Sequence, residues 1–264
     1  MLKNLYKKII LGTLISLTCL SVNALAETKN PYQKQDQAMM EKLKKSFPNL
    51  EVRGVNYLPD VHLYEIQLNK NFLSYTNQNV DFFLMNGQII NPKSKKDISK
   101  ERDRANVERF INSLPSEDAI KVVFGKPLRK IAIFTDPRCP YCKATDEDIH
   151  ANFNKDSNIE IDYYMDPLRI KGHEDSPEIA AKIWCSPNRS KAWVNWMLNG
   201  VMPNNDGSCK NPIAKLKALA EKNNLDETPI IMFDNGYIWS GQSSAAQIKA
   251  ILNKTPIVPI SPTQ

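Results

Sequence analysis

Apolar residues recur at helical spacing in two places in the first half of the chain, and at strand spacing in the stretch between them. Met39, Met40 and Leu43 predict a short amphipathic helix over about 33–45, stopped before Pro48. VRGVNYL, HLYEIQL, FLSYT and VDFFLM follow as short apolar alternations, the pattern of half-buried strands. Asn86-Gly87 and then QII form a two-residue hairpin signal, so residues 33–92 read as a helix against a small antiparallel sheet. Asp97 stands where a cap belongs for a helix through SKERDRANVERFINSL. Its Val107, Phe110, Ile111 and Leu114 keep i, i+3, i+4, i+7 spacing. KERDR is charged on every face, which predicts a helix crossing solvent between two bodies, and Pro115 ends it.

Beyond Pro115 the texture changes. AIKVVFG and RKIAIFTD are strands joined by a turn at Gly125-Lys126-Pro127, and IEIDYYM is a third. SPEIAAKIWC, SKAWVNWMLNG and NPIAKLKALAEKNN are helical by composition and spacing. PIIMF and YIWSG flank Asp234-Asn235-Gly236 as a hairpin, and SSAAQIKAILNK closes the fold as a helix capped by Ser243 or Ser244. Between RKIAIFTD and IEIDYYM lies CPYCKATDEDI, two cysteines opening a helix that runs to about Asn152. A strand leading into C-x-x-C on a helix, with a late hairpin and a terminal helix, is the thioredoxin arrangement.

The N-terminus bears on how the cysteines are read. Lys3, Lys7 and Lys8, an apolar run from Ile9 to Leu20 and a closing Ala24-Leu25-Ala26 make a cleavable signal over 1–26. The run is short for a membrane span, which needs about 20 residues, and a retained anchor is the alternative. Cys19 leaves with the signal, so Cys139, Cys142, Cys185 and Cys209 remain. An even number in an oxidising compartment favours disulfides. Loss of three lysines takes Lys plus Arg from 35 to 32 against 29 Asp plus Glu, a net charge of only +3. With no basic cluster interleaved with aromatics, no nucleic-acid partner is expected.

A thiolate, not a thiol, attacks a disulfide, and the first turn of a helix favours the thiolate through unpaired amide groups and its positive end. Cys139 stands at such a start, and Pro140 suits the first turn because its missing N–H would have lacked a partner anyway. Cys142 is near enough to attack a mixed disulfide and release the substrate. Zinc is disfavoured: Cys185 and Cys209 form no second C-x-x-C, and His62, His150 and His173 show no ligand spacing. A four-residue Cys139–Cys142 loop would restrain little chain as a purely structural disulfide. Cys185 and Cys209 are better suited to a structural bridge, with a second redox pair as the alternative. Trp193 and Trp196 between them are expected in the core.

CPYC after FTDPR, the CSPNRSKAW segment, Cys209 and TPIIMFDNGYIWSG resemble the DsbC/DsbG family of periplasmic disulfide isomerases. The resemblance implies a cystatin-like α+β dimerisation domain over 27–96, a linker helix over 97–118, and a thioredoxin-fold α/β catalytic domain with a helical insertion over 119–264. It makes Cys139 the exposed nucleophile and Cys142 the buried resolving cysteine. Pro140, Tyr141, Thr228 and Pro229 would meet substrate, with Thr228–Pro229 as a cis-proline loop beside the sulfurs. Cys185 and Cys209 match the structural disulfide of the DsbC branch, whereas the DPxCPYC string is nearer the DsbG branch. Ile133, six residues before Cys139, offers no buried acid where many thioredoxin-like proteins have one. The function implied is a homodimeric isomerase and reductase of wrong disulfides in exported proteins. It would need no cofactor beyond its dithiol and would be kept reduced by a membrane reductase resembling DsbD. A net disulfide oxidase and a chaperone for unfolded exported chains are the alternatives.

Overall fold

The computed structural model describes residues 30–254 apart from 69–72 and 86. The expected signal segment and Asn86 of the expected hairpin lie outside the described residues.

Helix α1 (Gln33–Ser46) packs on an antiparallel sheet of β1 (Val52–Leu58), β2 (Leu63–Leu68), β3 (Leu73–Thr76) and β4 (Leu84–Met85), paired in chain order. Met39 and Leu43 on one stripe of α1 meet Val55, Tyr64, Ile66 and Leu68. Strand alternation sends Leu58, Leu73 and Tyr75 to the other face, where they form a smaller cluster. VDFFLM is a strand only at its last two residues. A turn takes up its start: Asn77 and Asp81 bond each other and Val80 sits at φ 63°. QII does not continue that strand; Ile90 forms an isolated bridge with Asp97 instead.

Helix α2 (Ile98–Ser113) starts where Asp97 Oδ1 accepts from the Lys100 amide at 3.0 Å. It does not cross solvent. Arg102 forks onto the buried Glu65 of β2, with Nε at 2.6 Å and Nη2 at 2.8 Å. Two residues on, Arg104 donates to the Asn235 carbonyl and lies 4.4 Å over the Tyr237 ring. The two arginines of KERDR are thus engaged by the two bodies the helix joins, while Lys100 and Asp103 stay exposed.

The second body holds a five-stranded sheet in the order β5-β7-β6-β8-β9: β5 (Ile120–Phe124), β6 (Arg129–Thr135), β7 (Ile159–Met165), β8 (Ile230–Phe233) and β9 (Ile238–Ser240). Only β6 and β7 run parallel. The turn between β5 and β6 needs Gly125 at φ +76°, where a Cβ would lie 1.7 Å from the Lys155 carbonyl oxygen. That turn does not make a hairpin, because β7 comes between the two strands. Helices α3 (Pro140–Asn152), α4 (Ser176–Trp184), α5 (Arg189–Asn199), α6 (Ile213–Lys222) and α7 (Ala245–Leu252) complete the body. Adjacent residues of β7 serve opposite faces. Tyr164 stacks on Phe134, itself stacked on Phe110 of α2, while Tyr163 meets Trp193 of α5. Ser244 caps α7 in a capping box with Gln247, and the Ser243 amide donates to Thr145 of α3 at 3.1 Å.

Candidate functional site

Strand β6 ends at Thr135, and the next four residues deliver Cys139 to the N-cap of α3 with Pro140 in the first turn. Asp136 holds this delivery loop. Its buried carboxylate accepts from the Arg138 amide, the Leu168 amide and the Ser176 hydroxyl, each at 2.6 Å, and meets His173 Nδ1 at 2.9 Å. Trp196 Nε1 donates to the Pro137 carbonyl at 2.7 Å, and Arg138 pairs with Asp175. The segment 168–176 and helix α5 therefore fasten the loop from two sides. Asp136 and His173 were not legible as a pair, since only the fold brings them together.

The Thr228–Pro229 peptide is cis, and the Thr228 carbonyl lies 3.3 Å from Cys139 Sγ. Cys139 is 4 % exposed, which corrects the expectation of an exposed thiol; Cys142 is 2 % exposed. The reason is the loop above it: Thr228 closes over a sulfur that sequence position alone would leave at a free helix end. Of the four residues expected to meet substrate, Pro140 and Tyr141 are exposed, whereas Thr228 and Pro229 are buried.

The two thiols differ sharply. A hydrogen bond from the Cys142 thiol, then from the Thr228 side chain and the Cys142 and Tyr141 amides, draws Cys139 down to about 6 against the cost of burial. Burial, together with the bond it gives to Cys139, raises Cys142 well above the usual thiol range. At neutral pH the arrangement is a thiolate at Cys139 and a thiol at Cys142.

Cys142, Thr145, Asp146 and Ile149 form the buried face of α3. Asp146 is the surprise of this face: it is 2 % exposed and accepts from the Tyr163 hydroxyl at 2.5 Å. Burial pushes its carboxyl up to about 7, although hydrogen bonds from Tyr163 and Trp193 pull the other way. Ile133 sits opposite Tyr163 in the β6–β7 ladder, so the strand does lack an acid, but the helix brings one to the same layer. The signal was present in the sequence as an aspartate at i+4 from Cys142, on the apolar side.

Cys185, at the end of α4, is bonded to Cys209, with Cα atoms 5.7 Å apart. Trp193 is fully buried and Trp196 half-buried, both as packing and bonding residues of this layer. The bridge closes a loop with a sequence separation of 24. Replacing both cysteines by alanine should cost about 3 kcal/mol and lower the melting temperature, with thiol exchange kept at temperatures where the variant is folded. Loss of exchange in a folded variant would make this pair part of the chemistry. Among the described residues, no group of three or more His, Cys, Asp or Glu side chains is placed to hold a metal ion, and no helix is long and apolar enough to cross a membrane.

A strand running to a cysteine at a helix N-terminus, a second cysteine one turn on, and a cis-proline loop closed over them define a thioredoxin-like thiol:disulfide oxidoreductase. A family profile described as a thioredoxin-like domain matches residues 116–256, and the chain belongs to that family. It is similar to a probable thiol:disulfide interchange protein DsbC of Bordetella parapertussis. The two are 29% identical over 218 residues, covering 83% of this chain and 74% of the relative. It is 32% identical over 151 residues to the thiol:disulfide interchange protein DsbC of Salmonella typhimurium, covering 54% of this chain and 58% of that protein. A solved disulfide interchange protein from Neisseria gonorrhoeae matches with a TM-score of 0.48 and 34% identity, over 53% of this chain and 97% of that one.

Proposed function

We propose that this chain is a periplasmic disulfide isomerase and reductase that reshuffles wrong disulfides in exported proteins through Cys139 and Cys142. The asymmetry of the two buried thiols supports this reading most directly. Cys139 thiolate attacks one sulfur of a substrate disulfide, forming a mixed disulfide and releasing the other substrate sulfur as thiolate. The substrate thiolate then attacks elsewhere in the substrate chain and frees Cys139, which is isomerisation. Alternatively Cys142 attacks Cys139, leaving an enzyme disulfide and a reduced substrate. A reductive turnover needs a dithiol donor, a role for a membrane reductase resembling DsbD. Tyr141, 60 % exposed beside Cys139, faces substrate in this reading, and the Thr228–Pro229 loop, whose side chains are buried, would offer it backbone hydrogen bonds.

The N-terminal body is read as a cystatin-like dimerisation domain. Its edge strand β4 is two residues long, and Phe82, Met85 and Ile90 near that edge are exposed. A second copy would cover these apolar side chains and pair the open edge. The alternative with an observation behind it is net oxidation. A thiol drawn down to about 6 stabilises the reduced enzyme, which makes its disulfide the stronger oxidant.

Scrambled ribonuclease distinguishes the two. In a glutathione buffer the mature protein should restore ribonuclease activity from the scrambled form faster than from the reduced form, and it should sediment as a dimer at micromolar concentration. Faster recovery from reduced ribonuclease would favour the oxidase. Suppression of aggregation that survives Cys139→Ala, without reshuffling, would favour a chaperone.

A further inference from the structure

The release step has a proton to place. Cys142 is held as a thiol, yet it must become a nucleophile when it attacks the mixed disulfide on Cys139. Positions i and i+4 on a helix stand roughly 5–6 Å apart at Cβ, so Cys142 and Asp146 are neighbours on the buried face of α3. One oxygen of Asp146, Oδ1, is engaged by the Tyr163 hydroxyl, and the other, Oδ2, is buried with no partner. Trp193 Nε1 in the same layer is a second donor directed at this carboxylate, short of full hydrogen-bond geometry. Among the described residues no Lys or Arg pairs with Asp146, so its charge is not fixed by a counter-ion. The titratable groups of this layer are Cys142 from α3 itself and Tyr163 from β7, and Tyr163 feels the charges of both Asp146 and Cys142. His150 lies one further turn along α3, where burial favours its neutral form.

We propose that Asp146 accepts the proton of Cys142 during resolution of the mixed disulfide. This rests on the assignment of Cys139 and Cys142 given above. The carboxylate takes the Cys142 proton at Oδ2, and the freed sulfur attacks Cys139 Sγ. The Cys139–substrate S–S bond breaks as the Cys139–Cys142 bond forms, and the substrate sulfur leaves as thiolate with the electron pair. The carboxylic acid then yields its proton to that thiolate or to solvent. Burial that lifts the carboxyl to about 7 matches it to this exchange near neutral pH.

Ellman's reagent separates the two steps on the reduced protein. The first thionitrobenzoate released reports capture by Cys139; the second reports attack by Cys142. Asp146→Asn should leave the first phase unchanged and slow the second by about 100-fold at pH 7, the scale of positioned proton transfer. The deficit should shrink as pH rises and bulk base takes over. Asp146→Glu should recover part of the second phase. A second phase as fast as wild type, or faster, in Asp146→Asn overturns the proposal. The underlying assignment fails separately, if Cys139→Ala still releases thionitrobenzoate in the fast first phase.

Discussion

Cys139→Ala should abolish reduction and reshuffling of substrate disulfides, while Cys142→Ala should retain capture and stall as a mixed disulfide. The wild-type thiol, at about 6, is half ionised at pH 6, whereas a free thiol near 8.5 is below about 1% ionised there. That is roughly 150-fold more thiolate. The weaker nucleophilicity of a low-pKa thiolate offsets about twentyfold of this, leaving a gain of roughly tenfold at pH 6. Alkylation of the reduced protein, followed by mass spectrometry from pH 4 to 9, reads the profile. Because Cys139 is only 4 % exposed, iodoacetamide should outpace bulky maleimides. The bond from Cys142 is the largest cause of the lowering, so Cys142→Ala should move the Cys139 midpoint back toward that of an ordinary thiol. A profile centred near 8.5 in the wild type would remove the basis for capture by Cys139.

Asp146→Asn should stabilise the fold, by an amount that depends on pH. An aspartate that titrates near 3.9 unfolded and at about 7 folded holds its proton more tightly in the native state. Below pH 4 both states are protonated and nothing is gained or lost. Between about 4 and 7 the unfolded state releases a proton the folded state keeps, so native stability falls as pH rises, and above 7 the loss is complete. At pH 8 it is on the order of 4 kcal/mol, and asparagine, which still accepts from the Tyr163 hydroxyl, escapes it. Urea unfolding at pH 4 and pH 8 measures the difference. A gap between variant and wild type that does not widen with pH would mean that Asp146 is not the buried acid described. Slower release in a more stable protein would separate its chemical role from damage to the fold.

Several parts of this molecule are local enough to be read along the chain. Pro140 after Cys139 marks a helix start because the first turn leaves its amides unpaired. Ser244 with Gln247 is a capping box three residues wide, and Asp234-Asn235-Gly236 turns β8 into β9. Asp97 three residues before Lys100 is likewise a cap. Each of these depends on residues within one or two turns, so hydrophobic spacing and backbone preference determine it before any long-range contact forms. The thiol pair belongs here too, as does the resemblance carried by CPYC and TPIIMF.

Partners far apart in the chain were out of reach of such reading. Cys139 is buried by Thr228, 89 residues away, and Asp136 is satisfied by Ser176, 40 residues away. KERDR is charged all round, which is the pattern of a solvated helix; Arg102 nevertheless ends on Glu65, 37 residues earlier and buried in β2. The same logic hid Asp146, whose meaning depends on Tyr163 and Trp193 enclosing it. Charge and hydroxyl groups carry no periodicity of their own. Whether each is solvated, paired or left as a proton acceptor is decided only when the sheet and helices close over it and remove the water.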